Sequence, residues 1–566
     1  MNSRRHTLAG CVAVALSASL APTVVQADDS EKSTANELEA VNVSALPLGS
    51  GSPSTPYSVM DQPTLSQKSA ATLGDTLNNQ PGVHSDTFGG GASRPVIRGQ
   101  SGPRVGVLND GSAVLDASKI SPDHTVTVDP MLARQIEVLR GPSTLLYGSG
   151  ASGGVVNVLD SRIPTERPRE DVEGFVGARA NTVADENATA AGITFSATDH
   201  LVFRVEGSRR DADDYEVDGF DRLTVPGTYA ESDNSSIGAS WIGDQGFFGL
   251  AYSYRRDNYG LPGHNHEFEE CGVSGNSLAC PEEEHDHEHG EEVTPYVDLA
   301  SRRIDARGEY RNPMDGITAI RFRGNHTEYR HHEIEEGEIG TTFRNRGGDA
   351  RLEVEHAPIG NWRGVVGMQY TDFDFSSLGG EAFVPKTESR AMALFAVEEY
   401  RLNDQWRFEL GARQEHQRLR PEDRTGEALP DLKQDSTSLS AAANWAFVPG
   451  YELVLSVGHS ERAPSAQELY AEGVHLATNT YECGLFSACG GGQRDLDDEI
   501  SLNANLNLRK TQGDWLFDLG VFENCINNYI YARTLDQIEE FRLIKYSQED
   551  VEFTGAEAEA TYQWTD

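Results

Sequence analysis

No stretch of the 566-residue chain holds the roughly 18 consecutive apolar residues that a helix needs to cross a bilayer, and hydrophobic residues make up only 37%. The sequence therefore has no helical membrane span. Positive charge is also scarce: 47 Lys and Arg stand against 89 Asp and Glu, a net charge of −42. That balance excludes nucleic acid as a partner, because phosphates would be repelled, and it suits cationic ligands. The zinc-hydrolase signature H-E-x-x-H is missing, since His332-Glu333 has no second histidine four residues after the first. Gly148, Gly150 and Gly153 spell G-x-G-x-x-G, but Val155-Val156-Asn157-Val158 follows them, a strand pattern. A dinucleotide site needs a helix N-terminus there, so the glycines are not one.

Cysteine is sparse too, six in all. The first, Cys11, lies in an apolar stretch from Leu8 to Val25 that follows Arg4 and Arg5 and ends at Val25-Gln26-Ala27. Residues 1–27 read as a secretory signal. Leu8-Ala9-Gly10-Cys11 imitates a lipoprotein cleavage site, with too few residues before it for an apolar segment. In an exported chain the close pairs Cys271 with Cys280 and Cys483 with Cys489 are expected to be disulfides that pin loops, rather than thiolate metal sites. Cys525 is left over from this pairing.

What the chain does have is a concentration of metal-binding chemistry. From His264 to Glu292 there are five histidines, His264, His266, His285, His287 and His289, ten acidic residues, and no lysine or arginine. Neutral imidazole favours zinc, copper and nickel, and carboxylates add ligand oxygens and a field that concentrates cations. On an extended backbone residues i and i+2 share a face, so His285, His287 and His289 can address one ion.

Beyond Pro164 the chain alternates with period two. Trp406, Phe408, Leu410 and Ala412 oppose Arg407, Glu409, Gly411 and Arg413, and Trp515, Phe517, Leu519 and Val521 oppose Leu516, Asp518 and Gly520. An aromatic-rich apolar face opposite one of charge and glycine suits a membrane barrel with a wet lumen. About sixteen such segments are expected, more than the seven to nine that close a soluble sandwich. Residues 65 to 165 read instead as a compact, glycine-rich mixed domain.

That domain carries the specific resemblance. Leu73-Gly74-Asp75-Thr76-Leu77 with Pro81-Gly82-Val83, Arg94-Pro95-Val96-Ile97-Arg98-Gly99, Val107-Leu108-Asn109-Asp110-Gly111, Ile136-Glu137-Val138-Leu139-Arg140-Gly141-Pro142-Ser143, and the run from Leu146 to Val158 resemble, in order, the plug motifs of TonB-dependent outer-membrane receptors. The resemblance implies an all-β membrane barrel of 22 antiparallel strands around an N-terminal mixed α/β plug. About sixteen of those strands are present, as in a C-terminally truncated chain. The expected organisation is a signal peptide at 1–27, a TonB box and linker at 28–60, the plug at 61–165, and the barrel at 166–566. Glu37-Leu38-Glu39-Ala40-Val41-Asn42-Val43-Ser44-Ala45 then resembles the TonB box, with TonB as energising partner and outer-membrane lipid around the barrel. It implies transport and no enzyme activity.

Three places could hold the cargo: Ser121-Pro122-Asp123-His124 in the plug, the segment His331 to Glu338, and His475. The combination of Asp123, His124, His475 and Glu338 is similar to the site of ZnuD-type zinc receptors, with Glu333, Glu335 and Glu336 competing for the acidic role. It implies TonB-energised import of zinc, or a similar divalent metal, with the histidine-rich loop gathering ions outside. The rival cargo is haem or a siderophore, because Arg462-Ala463-Pro464 with Glu468-Leu469-Tyr470 resembles a haem-receptor box. Glu461 and Gln493-Arg494-Asp495-Leu496 depart from that box.

Overall fold

The computed structural model describes Leu48 and residues 54–148, 150–219, 223–263, 268–281, 294–380, 382–424, 428–491 and 496–564. Its N-terminal part is built on a five-stranded sheet in the order Tyr57–Met60, Gln135–Leu139, Gly154–Leu159, Val105–Asn109, Ser112–Ala113. Gly154–Leu159 lies at its centre and every residue in it is buried, which is why it reads as Val-Val-Asn-Val without alternation. Two short helices, Gln62–Lys68 and Leu73–Leu77, and the hairpin Val83–Phe88 with Ala92–Ile97 pack on the sheet. Leu65, Leu73, Leu77, Ile97, Ile136 and Val156 form the shared core.

From Val172 onward the chain makes sixteen long strands, from Val172–Asn181 to Phe541–Tyr562, the number expected from the alternation. Each pairs antiparallel with the next. Two short strands, Glu472–His475 and Thr480–Cys483, bring the sheet to 18; the described residues thus carry sixteen long strands and not 22. The strand order returns from Phe541–Tyr562 to Val172–Asn181, but no residue register is resolved across that seam. Both strands are also largely exposed on either face near it, so the seam is a neighbourhood without a ladder.

The barrel is apolar outside and polar inside. Phe248, Leu250, Ile304, Val366, Leu394 and Leu410 are exposed, while Asp305, Asp349, Arg351, Glu353, Arg413 and Asn505 are buried in the lumen. That inversion of a soluble core is what lipid outside and a plugged lumen require. Connections are short on one side (244–245, 315–316, 402–405, 449–450) and mostly longer on the other (213–229, 261–295, 463–498). All six tryptophans, Trp241, Trp362, Trp406, Trp445, Trp515 and Trp564, sit at or just beyond the strand ends on the short-turn side. Such a ring marks one membrane–water interface.

The mixed domain is bolted into the lumen by arginines. Arg98 donates to both oxygens of Glu557 at 2.9 Å and to Asn505 at 2.7 Å, and Arg104 donates to Glu499. Arg162 reaches Asp305 at 3.1 Å. Buried bidentate pairs of this kind fix the plug's position geometrically as well as energetically.

Candidate metal centre

The loop between Ser112–Ala113 and the short turn at Pro130 carries Asp123 and His124 up against the barrel wall. Its seat is specific. Tyr259, from the wall strand Gly246–Gly260, donates its hydroxyl to the Asp123 carbonyl at 2.9 Å and accepts from the Thr125 amide at 3.2 Å. The Asn345 side chain donates to the Asp116 carbonyl at 3.1 Å. Facing this loop, strand Ile317–Glu335 alternates so that Tyr329, His331 and Glu333 point inward and Arg330 outward. His475 arrives from the third direction, on the hairpin Glu472–His475 with Thr480–Cys483, which lies parallel to Phe541–Tyr562. The hairpin is held by the Cys483–Cys489 disulfide and by Lys545, which donates to the carbonyls of Gly484, Ser487 and Cys489.

These segments bring five ligand-type side chains to one place. His124 Nε2 lies 3.1 Å from Asp123 Oδ2 and 3.5 Å from Glu333 Oε1; His331 Nε2 is 3.5 Å from the same Glu333 oxygen, and His475 Nε2 is 3.9 Å from Asp123 Oδ1. Two overlapping triads result, Asp123–His124–His475 and His124–His331–Glu333, sharing His124. Ligands at 2.0–2.2 Å around a tetrahedral ion stand roughly 3.3–3.6 Å apart, close to these separations. Asp123, His124 and His331 have no exposed surface, and Glu333 and His475 keep 6% and 5%.

The ring orientations are fixed from behind. His124 Nδ1 donates to the Ala117 carbonyl at 3.1 Å, and His475 Nδ1 donates to Glu482 Oε1 at 2.9 Å. A carbonyl or carboxylate can only accept, so Nδ1 carries the proton and each neutral ring turns an Nε2 lone pair toward the cluster. His331 Nδ1 meets the Tyr329 hydroxyl at 2.6 Å. Asp123 Oδ2 and the Nε2 atoms of His124, His331 and His475 are buried and have no hydrogen-bond partner. Phe343 packs 4.7 Å from His124 and 4.6 Å from His331, and Phe383 stacks at 4.4 Å on His475.

Burial opposes charge on these groups, yet the neighbouring carboxylates win. Asp123 and Glu482 raise His475 to about 10 against its desolvation, and Asp123 and Glu333 raise His124. Asp123 is held below the usual carboxylate range by His124 and His475, again against burial.

Of the residues read from the sequence, Asp123, His124 and His475 come together. Glu338 does not: it is exposed, one residue past the Glu336-Gly337 turn. Both turn residues have positive φ, 48° and 84°, so the hairpin reverses in two residues and leaves Glu338 on the rim. Glu333, deeper on the preceding strand, takes the position instead. His331 was passed over although it stands two residues before Glu333, and the i, i+2 rule places both on one face. Glu482 had no local signal. Cys271 and Cys280 are bonded, as are Cys483 and Cys489. Cys525 is not a free thiol. His264, His266, His285, His287 and His289 and the 37–45 segment lie outside the described residues. Arg462, from the haem-like box, is buried between Glu468 and Glu499 and clamps those carboxylates.

The model "TonB dependent receptor-like, beta-barrel" matches residues 169–566, and "TonB-dependent Receptor Plug Domain" matches 52–155. The chain belongs to the TonB-dependent receptor family. That membership places the barrel in the outer membrane of a Gram-negative bacterium, and among the described residues no helix is long and apolar enough to cross a membrane. The receptor is 30% identical over 160 residues to the ferrioxamine receptor of Yersinia enterocolitica, a match covering 28% of this chain and 21% of that one. It is 26% identical over 258 residues to the vitamin B12 transporter BtuB of Photobacterium profundum, covering 44% and 41%. The matched stretches thus span well under half of these relatives. Among solved structures, the copper transporter OprC superposes with a TM-score of 0.72 at 15% identity, covering 90% of this chain and 78% of that one. The hemophore receptor HasR of Serratia marcescens gives 0.71 at 16%, covering 90% and 80%. At such identities the likeness is one of fold.

Proposed function

We propose that this receptor imports a divalent late transition metal, zinc first among them, across the outer membrane, energised by TonB acting on residues 37–45. The observation that carries the reading is the convergence of four buried ligand atoms without hydrogen-bond partners, Asp123 Oδ2 and the Nε2 atoms of His124, His331 and His475. A buried polar atom left unpaired costs roughly 1–3 kcal/mol, and four at one point call for a shared partner. Three neutral imidazoles and the carboxylates of Asp123 and Glu333 neutralise a doubly charged ion, and the absence of thiolate favours zinc, nickel or copper(II) over copper(I). Haem fits less well, because Phe343 and Phe383 pack directly on the histidines. A cavity of about 280 Å³ between plug and wall is lined by Ile120, Phe373 and Phe375 and by none of the five ligand residues.

The shared shell also supplies a release step. Asp123 and His124 belong to the plug, whereas His331, Glu333 and His475 belong to the barrel. A pull that displaces the plug loop divides the ligand set and frees the ion.

Titration of the full chain with zinc tests the reading, and a stoichiometry below one tight ion per chain would sink it. Glu333→Gln is expected to weaken that site on the order of a hundredfold, while Glu338→Gln leaves it unchanged; equal effects of the two would overturn the ligand assignment. Glu482→Gln is expected to cost about 10–100-fold in affinity by loosening His475, read by the same calorimetric titration. Affinity should fall as pH falls, by about one decade per unit for each proton displaced, because the metal must expel the proton that the carboxylates hold on His475. The check is zinc affinity measured at pH 6, 7 and 8, where a flat profile would contradict histidine ligation.

A further inference from the structure

The outer surface of the barrel wall behind the metal centre carries an unusual charge arrangement for a chain of net charge −42. On strands Tyr296–Met314, Ile317–Glu335 and Glu338–His356 the outward positions Arg302, Arg330, Arg344 and Arg346 are all exposed. The strand registers set them in two adjacent rows. Ala300, Arg330 and Arg344 stand opposite one another in one row, and Arg302, Glu328 and Arg346 in the next. Arg346 pairs with Glu328 at 3.2 Å. Among the described residues, Arg302, Arg330 and Arg344 have neither an ion pair nor a hydrogen bond.

Arg330 and Arg344 are directly opposite across the ladder, and like charges so placed repel and destabilise the pair. On other wall strands the same outward level is neutralised by acids: Arg390 by Asp372 and Glu388, and Arg418 by Asp431. Here it is not. Further along the same outward faces the residues turn apolar, with Ile304, Phe322 and Leu352 exposed. The patch lies on the long-loop half of the strands, opposite the tryptophan ring. A ligand that satisfies it carries a phosphate beside an acyl chain.

We propose that Arg302, Arg330 and Arg344 bind the phosphate of a phosphorylated glycolipid in the outer leaflet, with its acyl chains on Ile304, Phe322 and Leu352. Guanidinium forks match phosphate oxygens bidentately, so one phosphate between Arg330 and Arg344 turns a repulsion into two charge-assisted contacts. Basic clusters at the membrane surface recognise lipid headgroups on the same principle.

The test uses the full chain in detergent micelles and its Arg302→Gln/Arg330→Gln/Arg344→Gln variant, with bis-phosphorylated lipid A, lipid A stripped of phosphate, and inorganic phosphate as probes. Binding is read by native mass spectrometry. The expected result is at least tenfold tighter binding of the phosphorylated lipid than of the stripped one, a loss of tenfold or more in the variant, and zinc binding unchanged in both. Equal binding by variant and parent, or equal binding of the two lipids, would overturn the proposal. Displacement of lipid A by equimolar inorganic phosphate would overturn it too, by assigning the patch to a free anion. Should the triple variant fail to fold, Arg330→Gln and Arg344→Gln singly are each expected to lose threefold or more, and no loss in either would be decisive against it.

Discussion

Replacing His124 by alanine abolishes tight zinc binding while the receptor still folds into the membrane. His124 is the residue common to both triads, so its loss leaves neither three-ligand set intact. Structural zinc sites carry about 10–16 kcal/mol over four ligands, so one ligand is worth a few kcal/mol, or on the order of 10²–10³-fold in affinity. His475→Ala removes only one triad and should cost less. The fold is insulated from the change, because the plug is held elsewhere by Arg98, Arg104 and Arg162 and the loop keeps Tyr259. The measurement is zinc calorimetry on both variants beside thermal unfolding of the metal-free protein. If His124→Ala binds within threefold of the parent, the shared-ligand geometry is not the zinc site.

Deleting residues 37–45 stops uptake altogether and leaves zinc affinity where it was. The reason lies in how the plug is fastened. Its arginines are buried against lumen carboxylates, and breaking one buried pair by removing a partner costs about 3–5 kcal/mol. Several such contacts have to rearrange before the ion can pass, a barrier thermal motion crosses too rarely for transport, so an external pull is required. Zinc accumulation by cells carrying the deletion, with calorimetry on the purified chain, separates energy coupling from binding. Residual uptake at even a third of the parent's rate would mean that this segment does not carry the force.

The two experiments draw on different kinds of legibility. The barrel was readable because alternation is local: Trp406 to Arg413 shows both of its faces in eight residues, and each repetition adds a strand. The plug was readable as an ordered set of motifs. The acidic role in the metal centre was not. Glu333, Glu335, Glu336 and Glu338 are chemically alike and adjacent, and what separates them is a two-residue turn at Glu336-Gly337 that leaves Glu338 on the rim. His331 was within reach of the same i, i+2 rule, whereas Glu482 was not, because its role depends on a hairpin bringing it to the back of His475. Arg462-Ala463-Pro464 misled in the opposite direction. Its arginine is consumed by Glu468 and Glu499, a pairing that spans 37 residues of sequence.

By itself, then, the sequence determined the class of the molecule and the class of its chemistry: a plugged membrane barrel, from period-two alternation and plug motifs, and soft-to-borderline cation ligands, from histidines set among acids. Only the tertiary structure decided which ligands meet. Asp123-His124, His331 with Glu333, and His475 come from the plug, the wall and a hairpin. Their meeting depends on strand register, on the docking of one domain inside another and on which way each imidazole is turned from behind. Those are properties of long-range packing, and no local pattern of residues encodes them.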